Sequence, residues 1–402
     1  MDNPVHYRDI ELNYRKLYGK LYASLLALFG PAHIPLIEDA IQNAFYKSLK
    51  SWKPDAFPQN PLNWLFVVCK NDLLTQLRKL KQSGSFTLLE PNAKLMETDD
   101  QHMDPRLELL LFIAGLNNIT VKSKILFSLK NVFGLSVKEI QQNTLLGEAA
   151  VYKNIKRTQD KILNRDLLPD TAEDEQSIPI ILEILYSVFN QGFDVLEGTG
   201  MTLDHDIVLE AFALAKQTLR HYSNHHQTKN LMALFCLHVA RMPSRFGIDQ
   251  IIPFYEQDRK SWDQTLIQLG VHYLTKPRTL DRYYLEALIT SLHMITRKPD
   301  RTHWKQISEC YFLLEKLNNS PITRINYAYT LARAGKLGEA IKKLIAAKRE
   351  LPSDHFYLHL VEAEILRHQY PEQSRRILLK ALTLNDHPLR QKLIREKIDS
   401  IN

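Results

Sequence analysis

Residues 135–163 read LSVKEIQQNTLLGEAAVYKNIKRTQDKIL, and the chemistry on offer is contact with phosphates and bases rather than bond making. Ser136 followed three residues later by Glu139 is a capping box, which starts a short helix. Ile140 and Leu145/Leu146 supply its inward face, Gly147 marks a turn, and Glu148 opens a second amphipathic helix with Val151, Ile155 and Ile162 facing in. The outward face carries Tyr152, Lys153, Lys156 and Arg157, with Asn154 between them. Between 122 and 161 there are 8 basic residues and 3 acidic ones. A helix-turn-helix sets the first residues of its second helix against base edges and its flanking cations against phosphates. Asparagine can read adenine through two hydrogen bonds, and Tyr152 offers contact to base or backbone. The same residues would also fit a basic helical hairpin whose outer face is merely solvated.

A second group lies upstream. Asp39, Gln42 and Phe45 fall at i, i+3 and i+6 near one helix face, a polar pair beside an aromatic that suits a partner helix. The alternative is that Phe45 is core and the polar pair only exposed. Further on, Trp64, Lys70, Asn71, Arg78, Lys79 and Lys81 share a helix opened by Pro61, with Asp72 among them.

Other groupings carry no chemistry. His221, His225, His226 and the pair His355/His359 lack any Cys or HExxH context, so no metal site is expected. Glu256, Asp258, Arg259 and Asp263 have no nearby nucleophile or glycine loop, and are expected to form a buried structural salt-bridge cluster beside Trp262. Cys69, Cys236 and Cys310 are too far apart for a CxxC site and odd in number. The chain holds 13 glycines in 402 residues, which leaves no Gly-rich phosphate loop. No catalytic residue, no cofactor and no enzyme activity are therefore expected.

The elements that must position these groups are helices. Apolar residues recur at helical spacing almost throughout, as in Ile37, Ala40, Ile41, Ala44, Phe45, Ser48 and Leu49. Period-2 strands and NG/DG hairpins are not evident. The fold class is all-α. Residues 83–105, with Gly, Ser, two prolines and an acidic cluster, read as a linker, and 167–178 as a second polar break. No run approaches about 18 uninterrupted apolar residues, and the N-terminus lacks a signal peptide's apolar core, so a soluble cytoplasmic protein without membrane contact is expected. Charge is uneven: residues 1–165 hold 22 Lys+Arg against 16 Asp+Glu, and residues 166–402 hold 30 against 29. A basic first part joined to a neutral second part is the balance expected of a nucleic-acid-binding half with an appended domain.

Pro321 to Asp354 forms a 34-residue unit with Gly335 at a central turn, small residues Ala340 and Ala347, and Pro352 at its end. This resembles the tetratricopeptide repeat, in which small residues let paired helices approach. A decayed second copy starts at His355, with Ser374 and Ala381 at the small positions.

Taken in order, YRKLYGKLYASLLALFG, LIEDAIQNAFYKSLKSW and PQNPLNWLFVVCKNDLLTQLRKLKQ, followed by the segment 135–163, resemble bacterial RNA polymerase sigma factors of the extracytoplasmic-function type. The likeness continues through LYSVFNQGF (185–193) and FYEQDRKSWDQTLI (254–267), which resemble a subgroup with a helical, tetratricopeptide-like C-terminal extension. The resemblance implies two small helical sigma domains, the second with the helix-turn-helix, and then a larger repeat domain. It implies boundaries at 1–82 for the first, 83–105 for the linker, 106–166 for the second and 178–402 for a regulatory extension. Asp39, Gln42 and Phe45 would then dock on core RNA polymerase. Trp64, Lys70, Asn71, Arg78, Lys79 and Lys81 would face the −10 promoter element, and Glu148, Tyr152, Lys153, Asn154, Lys156 and Arg157 the −35 element. The expected partners are core polymerase, promoter DNA and contacts made by the extension. Two departures stand out: the −10 helix is poor in arginine, and Tyr152 and Asn154 stand where relatives carry Lys and Arg. A non-sigma DNA-binding regulator, or a repeat-type interaction scaffold, is the competing reading.

Overall fold

The computed structural model describes residues 4–52, 57–82, 103–117, 119–142, 144, 146–163, 175–193, 205–247, 251–277, 279–384 and 388–401. Most of the expected linker (83–102) and of the second polar break (167–174) lies outside these residues. Among the described residues the fold is all-helical, with no strand beyond an isolated bridge between Phe246 and Ile251. The chain divides into two compact units, Met1–Gly192 with His205–Thr218, and Phe193–Asp204 with Leu219–Asn402.

The first unit opens with α1 (Pro4–Phe29), α2 (Ile34–Ser51) and α3 (Pro61–Gln82). Gly30 at φ 82° and Pro31 stop α1, because glycine takes the left-handed conformation at low cost and proline cannot continue the helix. In α2, Ile37, Ala40, Ile41, Ala44, Phe45 and Ser48 are buried, as their spacing predicts. Leu49 differs, lying 38% exposed. Leu65, Cys69, Leu73 and Leu77 form the buried stripe of α3, one residue per turn.

Helices α4 (Pro105–Gly115), α5 (Val121–Asn131), α6 (Val137–Gln142) and α7 (Glu148–Leu163) follow. They belong to the same compact unit as α1–α3, and so do nearly all of α8 (Ile178–Phe193) and of α9 (His205–His221). The division of the chain therefore falls within α9 and not at 178. Two contacts show why. Gln191 Nε2 on α8 donates to the Glu139 carbonyl at 3.2 Å. The guanidinium of Arg106, 4% exposed, donates through Nε and Nη2 to Asp104 at 3.0 and 2.8 Å and through Nη1 to Glu210 on α9. Burial raises the Asp104 carboxyl, but the hydrogen bonds and charge of Arg106 outweigh it and leave the group below its ordinary value.

The second unit contains α10 (His226–Ala240), α11 (Gln264–Tyr273), α12 (Arg282–Ile295), α13 (Arg301–Leu317), α14 (Pro321–Arg333), α15 (Leu337–Lys348), α16 (Phe356–Leu366), α17 (Pro371–Thr383) and α18 (Pro388–Asp399). Helices α11 and α12 both pack on α10, and from α12 onward each helix packs on its neighbour in the chain. Gly335 closes the α14–α15 turn at φ 83°, and Ala340 and Ala347 are fully buried against Leu331 and Leu344. The segment after His355 forms a matching hairpin: Ser374 Oγ donates to the Ala363 carbonyl at 2.8 Å, and Ala381 is buried. Small side chains thus sit at both closest approaches.

A polar knot joins α12 and α13. The Tyr255 hydroxyl lies 2.5 Å from His293 Nδ1 and 3.0 Å from His303 Nε2, beside the Trp304 ring. Burial, then the charges of His303 and Arg241, bring His293 down to about 3 from an ordinary 6.5. The unfolded chain therefore takes up this proton first as pH falls. Stability of the second unit is retained above about pH 6.5 and declines toward pH 3, by on the order of 5 kcal/mol at the limit. Urea unfolding followed by tryptophan fluorescence should show that slope, and His293→Gln should flatten it; a pH-independent midpoint in the parent protein would remove the assignment.

Candidate nucleic-acid interface

Helix α6, which precedes α7 across the turn at Gly147, opens on a capping box. Ser136 N and Oγ both donate to Glu139 Oε2, at 2.8 and 2.7 Å, and Glu139 N donates to Ser136 Oγ at 3.2 Å. This reciprocal pair satisfies two donors at the start of α6. Val151, Ile155, Thr158 and Ile162 anchor α7 from below. Glu148, Tyr152, Lys153, Lys156 and Arg157 are exposed on the other side. Tyr152, at 56% exposed, is a large aromatic held out to solvent between cations.

Asn154 is placed differently from expectation. Its Nδ2 donates to the Ala150 carbonyl at 2.7 Å, and its Oδ1 accepts from Ser123 Oγ at 3.2 Å. One end of the amide is tied back within α7 and the other joins α7 to α5, so a bidentate reading of adenine would need both bonds to break. Lys124 also leaves the basic face: its ammonium donates to the Ala114 carbonyl at 2.6 Å, and burial lowers its pKa. Lys122, Lys138, Lys153, Lys156, Arg157 and Lys161 remain exposed.

On α3, Asn71, Arg78 and Lys79 are exposed, Lys70 is half-buried, and Lys81 lies in the last turn. Trp64 is half-buried, with its ring 5.4 Å from Trp52, which in turn meets Phe57 at 5.0 Å. The Asp72 carboxylate is turned onto α2, accepting from Asn43 Nδ2 at 3.1 Å and from Gln76 Nε2 at 3.2 Å. Its negative charge is thereby neutralised in part by amide donors and withheld from the exposed side.

On α2, Asp39 and Gln42 are exposed but Phe45 is not. Phe45 is 5% exposed and packs on Tyr14 with ring centroids 4.5 Å apart. The exposed apolar groups on this face are Tyr46 (58%) and Leu49 (38%), with Lys50 lying 4.2 Å over the Tyr46 ring. Residues 39, 42, 46 and 49 follow one another at helical spacing. The phase of the stripe points to them: Tyr46 falls outside the run of Ile37, Ala40, Ile41, Ala44 and Phe45.

The salt-bridge cluster expected beside Trp262 is replaced by caps. Asp258 accepts from Lys260 N and Ser261 Oγ, both at 3.0 Å, and Asp263 accepts from Leu266 N at 3.0 Å at the start of α11. Arg259 donates to the Thr296 carbonyl at 2.5 Å and to that of Met294, closing the end of α12. Glu256 is exposed, and Trp262 Nε1 donates to Ser244 Oγ at 2.8 Å. Unpaired groups at helix ends compete for these side chains more effectively than the side chains do for one another. Among the described residues no group of three or more His, Cys, Asp or Glu side chains is arranged to hold a metal ion, and no helix is long and apolar enough to cross a membrane.

Residues 177–278 match a family of unknown function, DUF6596. This span contains both LYSVFNQGF and the run from Phe254 to Trp262. Over 354 residues the chain is 27% identical to an uncharacterized protein of Rhizobium meliloti (strain 1021), covering 83% of this chain and 82% of that protein. No solved structure matches significantly.

The two faces of α2 separate by mutation. Phe45→Ala should cost about 3–5 kcal/mol of stability in urea unfolding, as for a buried aromatic. Tyr46→Ala and Leu49→Ala should stay within about 0.5 kcal/mol of the parent. Equal costs at positions 45 and 46 would contradict the assignment of faces.

Proposed function

We propose that this protein is a sigma-type transcription initiation factor that binds core RNA polymerase and directs it to promoters. The observation that carries the reading is the capped helix-turn-helix whose second helix holds Tyr152, Lys153, Lys156 and Arg157 out to solvent, following a helical module in sigma order. The outer face of α2, with Asp39, Gln42, Tyr46 and Leu49, is the docking surface for polymerase. Buried Phe45 supports that face from beneath. Helix α3 addresses the −10 element through Asn71, Arg78 and Lys79, and α7 the −35 element. The protein contributes binding energy and no catalysis of its own: duplex contacts position the polymerase, and captured unstacked bases favour opening. The tetratricopeptide-like helices of the second unit act as a regulatory domain that presents surfaces to partners. All of this takes place in the cytoplasm.

Run-off transcription with purified core polymerase and the organism's promoters tests the reading, together with co-purification. Tyr46→Ala should weaken polymerase binding without unfolding the protein. Lys153→Ala and Arg157→Ala should each lower the salt slope of promoter binding by about 1. No co-purification with core and no stimulation at any promoter would overturn it.

A further inference from the structure

The fold divides the charge of the chain differently from the linear sequence. Of 52 Lys+Arg and 45 Asp+Glu, the first unit takes 23 and 24, which leaves 29 and 21 for the second, a surplus of 8. Residues 166–402 read as neutral because they include the acidic stretch before Leu219; residues 219–402 alone hold 29 basic and 18 acidic side chains. Part of this charge is taken up inside the repeat helices. Lys343 donates to Glu315 at 2.6 Å, Lys336 lies 3.3 Å from Glu339, Arg324 meets Glu350, and Lys348 meets Glu362. Helices α15 and α17 each hold a single carboxylate, Glu339 and Glu372, and the first is the one paired with Lys336. Lys342, Arg349 at the end of α15, and Arg375, Arg376 and Lys380 of α17 are exposed. Among the described residues no carboxylate forms an ion pair with any of the five.

The repeat brings these cations into register. A shift of 34 residues carries the buried Ala340 and Ala347 onto the buried Ser374 and Ala381, so the two hairpins turn corresponding faces outward. The same shift carries Lys342 onto Arg376, both exposed, and Ile345 (48% exposed) onto Leu379 (46%). Helix α14 packs on α16, so the hairpins are neighbours. Lys342 and Arg349 are separated by about 10 Å of helix rise, and Arg376 and Lys380 by about 6 Å. Duplex DNA carries one phosphate charge per about 1.7 Å of its axis, so rows of this length face several phosphates at once. The surroundings of the cations select among anionic partners. Neither α15 nor α17 contains an aromatic residue, so neither offers a platform for the unstacked bases of a single strand. Their exposed large apolar side chains are Ile345 and Leu379 alone, one per hairpin. That is too little apolar surface to enter a bilayer or to anchor a protein partner. Arg349, Arg375 and Arg376 can each hold phosphate through two N–H groups.

We infer that the second unit binds the phosphate backbone of duplex DNA through Lys342, Arg349, Arg375, Arg376 and Lys380. The contact reads no bases: it holds duplex irrespective of sequence, and it is separate from the face that α7 presents. This inference stands apart from the sigma-type reading, since it needs neither polymerase nor promoter.

The experiment uses the full chain and a fluorescein-labelled duplex of random sequence, about 30 base pairs long, titrated by fluorescence anisotropy between about 50 and about 200 mM salt. Combining Lys342→Gln, Arg376→Gln and Lys380→Gln should lower the salt slope by about 2.7, at about 0.9 for each lost phosphate contact, and weaken binding at the lowest salt by about tenfold or more. The charge-conserving combination Lys342→Arg, Arg376→Lys and Lys380→Arg should keep the slope of the parent. All three positions are exposed, so circular dichroism and the urea midpoint should match the parent in both combinations. A parent that does not bind the duplex, or a neutralised variant with an unchanged slope, would overturn the inference. So would displacement of the duplex by polyglutamate as readily as by unlabelled duplex, or tighter binding to a single strand of the same length. A loss seen on phosphatidylglycerol vesicles and not on the duplex would also overturn it, assigning the face to lipid. Failure of polymerase co-purification would remove the sigma reading and leave this slope as it is.

Discussion

The arrangement of the first unit depends on a side chain that is absent. With hydrogen at position 19, the Val132 carbonyl approaches the α1 backbone more closely than any Cβ would allow. That contact brings the end of α5 against α1, and α4 with it, so that Ala23, Leu26 and Ala27 share a groove with Leu109 and Phe112. Once α4 is placed, Arg106 is buried, and a buried guanidinium requires paired acceptors. Asp104 supplies one pair of oxygens from the same turn, where it also caps α4. Glu210 supplies one further oxygen and thereby ties α9 to α4. One close approach between two helices therefore commits three stretches of chain that are far apart in sequence.

This dependence explains what could be read in advance and what could not. Local features were legible because their signals are local: the Ser136–Glu139 box, the stripe of α2, and Gly335 with Ala340 and Ala347 at helical-hairpin spacing all appear where the spacing puts them. Long-range partners were not. Nothing in the run Asp104–Pro105–Arg106 shows that the arginine meets a glutamate 104 residues later. Phe45 and Tyr46 are adjacent aromatics, and only the presence of Tyr14 on α1 decides which is core. Asn154 had the composition of a base reader, yet Ser123 and the Ala150 carbonyl occupy its amide. The cluster around Trp262 differs from its sequence pattern for a related reason: matching charges in sequence suggest pairing, while the start of α11 and the end of α12 take Asp263 and Arg259 as caps.

Charge distribution carries the last step. The basic surplus of residues 1–165 is not a property of an isolated DNA-binding half, because residues 166–218 hold 11 acidic side chains and one basic one. Counted over the whole first unit, which takes in residues 166–192 and 205–218 as well, the balance is 23 basic to 24 acidic side chains. Long-range attraction to a polyanion follows the net charge of the whole unit, whereas counterion release on contact follows the individual cations that meet phosphate. Lys153, Lys156 and Arg157 of α7 stay exposed, so a unit whose formal charge is near zero still displays a local basic face.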